Sequence, residues 1–246
     1  MTGNPRTQQA GRATTEAWYR GLVVPGAPRD AAGQELLAGE RQDNRIGVAP
    51  AFMTDIEHIG QQGSFGDIGN VQLSRNGELV GGSGYPFGVF TVPAEDAAYE
   101  LTLTTRKTGS PAAVWKRSTP TETTWKFRSE RKPDVASQGL PLLFPRYDVP
   151  ADGMRTVPAQ DRQRIGLTAT GHAGYTPGRL SKAAVSFSYD GGEIWHAATT
   201  AQHGGRWTAT VDHAGAAGRT VTLRTELTDA HGNSVVQTVN DAYAVR

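Results

Sequence analysis

Apolar and polar residues alternate in short runs along most of this chain, and this period of two predicts β-strands. Residues 185–189 give the clearest example, because valine, phenylalanine and tyrosine there alternate with serines. Asp190, Gly191 and Gly192 follow, and such residues favour the backbone geometry of a turn. The chain then returns towards Trp195. We therefore predict a β-hairpin at this position.

The same pattern recurs about every ten residues, which is typical of a sandwich or a jelly roll. Two further turns are predicted between alternating segments, one at Asn76-Gly77 and one built from Asp229, Gly232 and Asn233. The remaining predicted strands lie at residues 71–73, 79–80, 88–92, 99–103, 124–127, 164–170, 207–211, 221–227 and 235–239.

The fold class predicted from this pattern is all-β, with two β-sandwich domains. Thirty glycines and fourteen prolines among 246 residues agree with it. Four prolines fall within residues 132–153, which indicates a semi-rigid connector or an edge segment. We place the domain boundary there and predict a disordered N-terminus at 1–16, a jelly-roll-like domain at 17–140, and an immunoglobulin-like or fibronectin III-like domain at 141–246. Helix is expected to be minor, with one short candidate at 29–41.

Composition narrows the classes of partner. The chain has 25 basic and 24 acidic residues, so it lacks the basic excess that binding to nucleic acid or to an anionic membrane requires. Basic residues between Arg106 and Lys132 are interpreted as charges on a solvated strand edge. There is no cysteine, which rules out disulfides and thiolate chemistry. We expect no nucleic acid, no membrane and no cofactor as partners, and a monomer.

Candidate catalytic residues do not form a recognisable set. Asp55, Glu57 and His58 lie close together, but they lack the spacing of a zinc motif and are interpreted as a surface loop. The six histidines form no ligand pair, and those beside glycines, such as His203 and His231, are expected to be exposed. No serine lies in a nucleophile elbow. We assign neither a catalytic nor a metal-binding residue.

Tryptophan is the best candidate for ligand contact, because its ring can stack on a sugar. Trp125, Trp195 and Trp207 lie on alternating strands and are expected to pack inward. Trp115 is followed by Lys116-Arg117 and is the one we expect to be exposed. Trp115 is therefore the predicted binding residue.

One short motif resembles a known structural element. The segment from Ser188 to Trp195 resembles the Asp-box of sialidase propellers, Ser-x-Asp-x-Gly-x-Thr-Trp, although Ile194 replaces the threonine and only one copy is present. The Asp-box is structural in those proteins. The match therefore predicts turn geometry and no active site.

Several motifs together resemble the C-terminal region of large secreted actinobacterial subtilisin-like serine proteases, from about Trp18 to Arg246. They are Tyr19-Arg-Gly-Leu-Val, Pro25-Gly-Ala-Pro-Arg-Asp30, Gly63-Ser-Phe-Gly-Asp67, Phe90-Thr-Val-Pro-Ala94, Leu140-Pro-Leu-Leu-Phe-Pro-Arg-Tyr-Asp148, Gly174-Tyr-Thr-Pro-Gly178 and Asp241-Ala-Tyr. The resemblance implies a secreted protein and a position downstream of a protease domain. The Gly-Thr-Ser-Met-Ala, His-Gly-Thr and Asp-Ser/Thr-Gly contexts of that family's triad do not occur in this chain.

We therefore expect a noncatalytic accessory region that braces a protease domain or presents substrate to it. Its partners would be the catalytic domain of the same parent chain or an extracellular polypeptide or glycan. The alternative is a stand-alone secreted adhesion or carbohydrate-binding module. A hydrolase with carboxylates dispersed along the chain is a weaker hypothesis, for which the sequence indicates no pair.

Overall fold

Strands dominate the structure, a computed structural model that describes residues 11, 21–30, 32–54 and 66–246. Their bounds are β1 Val24–Gly26, β2 Gly39–Gln42, β3 Arg45–Val48, β4 Ala51–Thr54, β5 Asp67–Arg75, β6 Glu78–Ser83, β7 Gly88–Thr91, β8 Ala97–Lys107, α1 Gly109–Val114, β9 Thr121–Ser129, β10 Gln138–Gly139, β11 Phe144–Asp148, β12 Thr156–Val157, β13 Gln163–Thr170, β14 Leu180–Ser188, β15 His196–Ala197, β16 Thr199–His203, β17 Arg206–Val211, β18 Thr220–Asp229 and β19 Ser234–Val245. The predicted all-β sandwich class is confirmed.

One long sheet runs through both halves of the chain. Its strand order is β15-β14-β18-β19-β9-β8-β5-β6, and β12 pairs with β19 in addition. Two four-stranded sheets, β10-β2-β3-β7 and β11-β13-β17-β16, and the pair β1-β4 complete the described strands. Alternate residues of the long strands are buried, as the period of two requires: β8 buries Tyr99, Leu101 and Leu103, whereas Glu100 is exposed and Thr102 is half-buried.

The two halves meet where β9 pairs with β19. This antiparallel ladder runs from Ser234 opposite Lys126 to Val239 opposite Thr121. A single cluster of buried apolar side chains extends through both halves. Leu140, at the predicted boundary, is itself buried. The boundary and the jelly-roll and immunoglobulin assignments stay predictions, whereas the shared sheet is a feature of the structure.

The proline-rich segment that follows residue 132 contributes to the core. Leu142, Leu143 and Phe144 are fully buried, and the Leu143 carbonyl accepts a hydrogen bond of 2.6 Å from the Trp125 indole. β11 forms the edge of its sheet and contains Pro145. Proline is tolerated at an edge because no outer strand needs its missing N–H. This agrees with the predicted edge segment.

The prediction of a helix at 29–41 is wrong for the residues described there. Asp30 accepts hydrogen bonds from the amides of Ala32 and Gln34, and this local turn competes with helix formation. Gly33 has a φ of 83°, which a helix cannot contain. Among the described residues, the helix is α1, which begins at Gly109.

Candidate binding surface

β6, β7 and the loop that connects them expose several apolar side chains. Leu79 is 66% exposed, Tyr85 65%, Phe87 47% and Val89 61%. We call these four residues the aromatic edge. Isolated exposed apolar residues are ordinary, but a group of them marks an interaction site.

The two aromatic rings of the aromatic edge stack on each other. Their centroids lie 5.4 Å apart with an interplanar angle of 16°. The hydroxyl of Ser83 accepts a hydrogen bond of 3.2 Å from the Tyr85 amide, which helps to hold the start of the loop. Sequence reasoning missed these two aromatics. The indication was available, because Tyr85-Pro86-Phe87 lies between Gly84 and Gly88, where a turn exposes side chains.

A shallow groove of about 480 Å³ runs between β6 and β7. We call it the β6–β7 groove. Its lining consists of Val80, Gly81, Gly82, Ser83, Gly88, Val89, Phe90 and Thr91. None of these side chains is charged, and only the serine and the threonine carry a polar side-chain atom. Most of the polar atoms that the groove can offer therefore belong to the backbone.

Among the described strands, β7 pairs on one side only, with β3. Just beyond β7, the Val92 amide donates to the Asn44 carbonyl at 2.8 Å, so the backbone groups of Val92 point towards β3. Because N–H and C=O directions alternate along an antiparallel strand, Phe90 also bonds to β3. Val89 and Thr91 consequently direct their N–H and C=O groups away from the sheet, and within the described residues these groups have no partner.

Trp115, the predicted binding residue, is half-buried at the end of α1. Two cations lie over its ring, the Lys107 ammonium at 5.0 Å and the Arg155 guanidinium at 4.9 Å from the ring centroid. Both are cation–π distances. These cations occupy ring surface that a stacked sugar would need. Glycan binding by Trp115 stays a prediction that this arrangement does not favour.

Carboxylates neutralise much of the basic strip between Arg106 and Lys132. The Lys107 ammonium and the Asp67 carboxylate form a buried ion pair of 2.5 Å. Further ion pairs join Lys126 to Glu100, Arg128 to Asp96 and Arg131 to Asp43. Four of the eight basic residues in the strip are paired with a carboxylate in this way.

Asp190 organises the turn between β14 and β15. Its Oδ1 accepts hydrogen bonds of 3.0 Å from the amides of Glu193 and Ile194, and the Ser188 hydroxyl lies 2.5 Å from the same oxygen. Gly191 and Gly192 have φ values of 76° and 103°. The hydrogen bond from Ile194 is the main reason why the pKa of Asp190 lies below its usual range. The segment that resembles an Asp-box has a local structural role in this arrangement.

Trp195 covers this turn and lies outside the core. It is half-buried, and a Cβ atom added at Gly192 would approach its ring to 3.1 Å. The expectation that Trp195 packs inward is therefore wrong. Trp125 is fully buried as expected, and Trp207 is half-buried and packs against the core.

Asp229 organises the turn between β18 and β19 from a buried position. Its Oδ1 accepts hydrogen bonds from the amides of His231, at 2.9 Å, and Asn233, at 3.0 Å. The Tyr175 hydroxyl donates to Oδ2, and Asn233 donates to that hydroxyl at 2.9 Å. Gly232 has a φ of 84°.

At Asn76 and Gly77, φ values of 51° and 86° form the type I′ turn between β5 and β6.

His213 is fully buried between two tyrosines. Its Nδ1 lies 2.7 Å from the Tyr189 hydroxyl and its Nε2 lies 3.0 Å from the Tyr243 hydroxyl. Tyr189 can also donate to the Asp212 carbonyl at 2.9 Å. One proton arrangement satisfies all these groups: Tyr243 donates to Nε2, Nδ1–H donates to Tyr189, and Tyr189 donates to Asp212. Burial lowers the pKa of His213 to about 4, although the Asp212 carboxylate opposes the shift.

His172 is a second buried histidine, and it connects the two halves of the chain. Its Nε2 donates to the Leu140 carbonyl at 2.8 Å, while Nδ1 accepts from the amides of Ala38 and Gly174. Burial lowers the pKa of this imidazole. His203 and His231 are exposed, in agreement with the prediction. The sequence offered no periodic or spacing pattern that would distinguish the buried pair from the exposed pair.

Asp55, Glu57, His58, Ser64 and Trp18 lie outside the described residues. Within residues 21–30, 32–54 and 66–246, no group of three or more His, Asp or Glu side chains could hold a metal ion. In the same part of the chain, no helix has the length and apolar character needed to span a membrane.

Comparisons with known proteins do not establish a family. No protein-family model matches the chain, and no curated protein matches it. Among solved structures, the three N-terminal domains of the bacteriophage RB49 Highly Immunogenic Outer Capsid protein (Hoc) are 12% identical to it, with a TM-score of 0.24. The match covers 89% of this chain and 58% of that one. A likeness at this level carries no argument about function.

Proposed function

We propose that this chain is a noncatalytic accessory region that holds extended polypeptide at its aromatic edge. The observation that carries the proposal is the stacked pair of Tyr85 and Phe87 beside Val89, all exposed on a continuous β scaffold. Aromatic side chains are enriched at recognition sites because a large contact area costs them little conformational entropy. The resemblance to C-terminal regions of secreted subtilisin-like proteases supports the same role, namely presenting substrate to a protease domain of the same parent chain.

Polypeptide fits this surface better than glycan does. Binding of a sugar requires aromatic contact together with polar side chains that reach its hydroxyls. The β6–β7 groove supplies only two polar side chains, Ser83 and Thr91. It supplies backbone donors and acceptors instead, which match the backbone of an extended chain.

Fluorescence anisotropy tests the proposal with fluorescein-labelled α-lactalbumin, reduced and carbamidomethylated so that it is unfolded and its cysteines are neutral. We expect saturable binding that the double substitution Tyr85→Ser with Phe87→Ser weakens at least tenfold. The matched control is Ile194→Ser, which removes an apolar side chain of similar exposure, 60%, from another part of the surface. Absence of binding, or an equal loss in the control, would count against the proposal.

Two further measurements separate this role from its alternatives. A serine-directed fluorophosphonate should leave the chain unlabelled, and stoichiometric labelling would contradict the noncatalytic assignment. Glycan-array binding that is lost in Trp115→Ala would favour a carbohydrate-binding module instead. A protease domain encoded in frame upstream of Met1 would support the accessory role directly.

A further inference from the structure

Several other strands at the edges of the described sheets carry features that discourage pairing, whereas β16 is an edge strand of five residues without proline or bulge. β11 contains Pro145, which has no N–H to donate. β6 is irregular between the partners of Leu73 and Ser74, and β15 is only two residues long. Proline, bulges and short length are recognised protections of a sheet edge. β7 is four residues long, has neither a proline nor a bulge, and contains no charged residue between Gly88 and Thr91.

The open side of β7 has a defined set of partial charges. Val89 and Thr91 each direct one N–H and one C=O outward, so four backbone groups stand in a row. An extended chain presents the complementary row of partial charges at the same repeat. The absence of charged side chains in the β6–β7 groove means that a charged guest side chain would find no counterion there. This complementarity selects an uncharged, extended polypeptide as the occupant.

We propose that β7 binds such a polypeptide segment as an additional antiparallel strand. The guest residues opposite Val89 and Thr91 exchange hydrogen bonds with them, four in all. The guest side chain opposite Val89 lies beside that exposed valine, which favours a β-branched or aromatic residue at this position. The guest residue opposite Phe90 points to the other face, where the Phe90 ring lies against Gly81 in the β6–β7 groove.

This inference rests on the proposed function, because it specifies how the same surface holds its polypeptide. The two are distinguishable by experiment. The aromatic edge contributes side-chain contact, which serine substitutions remove. Strand addition depends on backbone groups, and a side-chain substitution alone leaves these in place.

Substitution of Val89 tests the backbone contribution. Val89→Pro removes an outward N–H and leaves the bonds from Phe90 to β3 in place, whereas the matched control Val89→Thr keeps the N–H and the β-branched shape. We expect Val89→Pro to weaken binding of the carbamidomethylated α-lactalbumin about tenfold, and Val89→Thr to change it less than twofold. Urea unfolding checks that both variants fold like the parent chain.

Amide hydrogen exchange gives an independent measurement on the unsubstituted chain. With ¹⁵N-labelled chain and saturating unlabelled α-lactalbumin, exchange at Val89 and Thr91 should slow at least tenfold, while Phe90, already bonded to β3, changes little. Binding without protection at Val89 and Thr91, or equal affinity of the proline and threonine variants, overturns strand addition and leaves the proposed function intact. Absence of binding overturns both. If Val89→Pro fails to fold, the exchange measurement decides alone.

Discussion

The aspartate turns of the C-terminal half and the aromatic edge of the N-terminal half differ in whether their polar groups are hydrogen-bonded within the protein. At the Asp229 turn, a buried carboxylate is paired with two backbone amides and the hydroxyl of Tyr175. At β7, the backbone groups of Val89 and Thr91 have no partner among the described residues.

This difference separates residues that maintain the fold from residues that are available to a ligand. A buried polar group without a hydrogen bond costs free energy, so satisfied networks such as the Asp229 turn stabilise the structure. Unpaired groups at a surface cost little because water satisfies them, and a partner can replace that water. We therefore expect substitutions at the turns to change stability, and substitutions at the aromatic edge to change binding.

The largest effect is expected for Asp229→Ala. The substitution removes the acceptor for three hydrogen bonds in a buried position and should lower the free energy of unfolding by about 4 kcal/mol. Urea denaturation followed by tryptophan fluorescence measures it. Asp134→Ala, at an exposed aspartate of the connector, should change stability by less than about 0.5 kcal/mol. Equal effects of the two substitutions would contradict a structural role for the turn.

The pH dependence of stability should be the next largest effect. The pKa of His213 is lowered to about 4 in the folded chain, so the unfolded chain binds more protons between about pH 6.5 and pH 4. The stabilisation is complete above pH 6.5 and is lost as the pH falls towards 4, by about 3 kcal/mol. The lowered pKa of His172 acts in the same direction.

Urea unfolding at pH 7 and pH 4.5 measures this dependence. His213→Gln removes the titrating group and should reduce the change in stability between these two pH values, whatever its effect at pH 7. His203→Gln replaces an exposed histidine and serves as the control. If the free energy of unfolding of His213→Gln changes between pH 7 and pH 4.5 as much as that of the parent chain, protonation of His213 is not the cause of the pH dependence.

A smaller effect of opposite sign is expected at Tyr99. This residue is buried in β8 and stacks on Phe127, but its hydroxyl has no hydrogen-bond partner among the described residues. Tyr99→Phe removes the unsatisfied group and should raise the free energy of unfolding by about 1 kcal/mol. Tyr147→Phe is the contrast, because its hydroxyl donates to Gln237 at 3.1 Å, and this substitution should destabilise. The prediction is wrong if both substitutions destabilise equally.

The smallest effect on stability is expected at the aromatic edge. Tyr85→Ser and Phe87→Ser should each change the free energy of unfolding by less than about 0.5 kcal/mol, because both side chains are exposed. The same urea titration provides this measurement. If either substitution lowers the free energy of unfolding by about 2 kcal/mol or more, these rings stabilise the fold, and the expected difference from the Asp229 turn is wrong.

Local features of the structure could be predicted well from the sequence. Strand positions follow from side-chain alternation between adjacent residues, and the turns at Asn76-Gly77 and Asp190 follow from side chains that tolerate positive φ or cap their own backbone. The predicted helix at 29–41 was wrong because the Asp30 side chain and Gly33 formed a turn. The candidate site was the weaker prediction: Trp115 lies against two cations, and the exposed aromatics are Tyr85 and Phe87.

The all-β class, the strand periodicity and the turn chemistry each depend on residues close together in the chain, and they could therefore be predicted from its pattern. The pairing of β9 with β19, the hydrogen bond that Gln237 donates to Thr123 at 2.9 Å, and the burial of His213 are evident only in the folded chain. The structure also shows that β7 ends a sheet and that the outward backbone groups of Val89 and Thr91 have no partner among the described residues. The β9–β19 ladder and the Gln237–Thr123 hydrogen bond join segments more than a hundred residues apart, and His213 contacts Tyr189 and Tyr243, which lie 24 and 30 residues away. The free energy of such contacts comes from burial and pairing that no local pattern records.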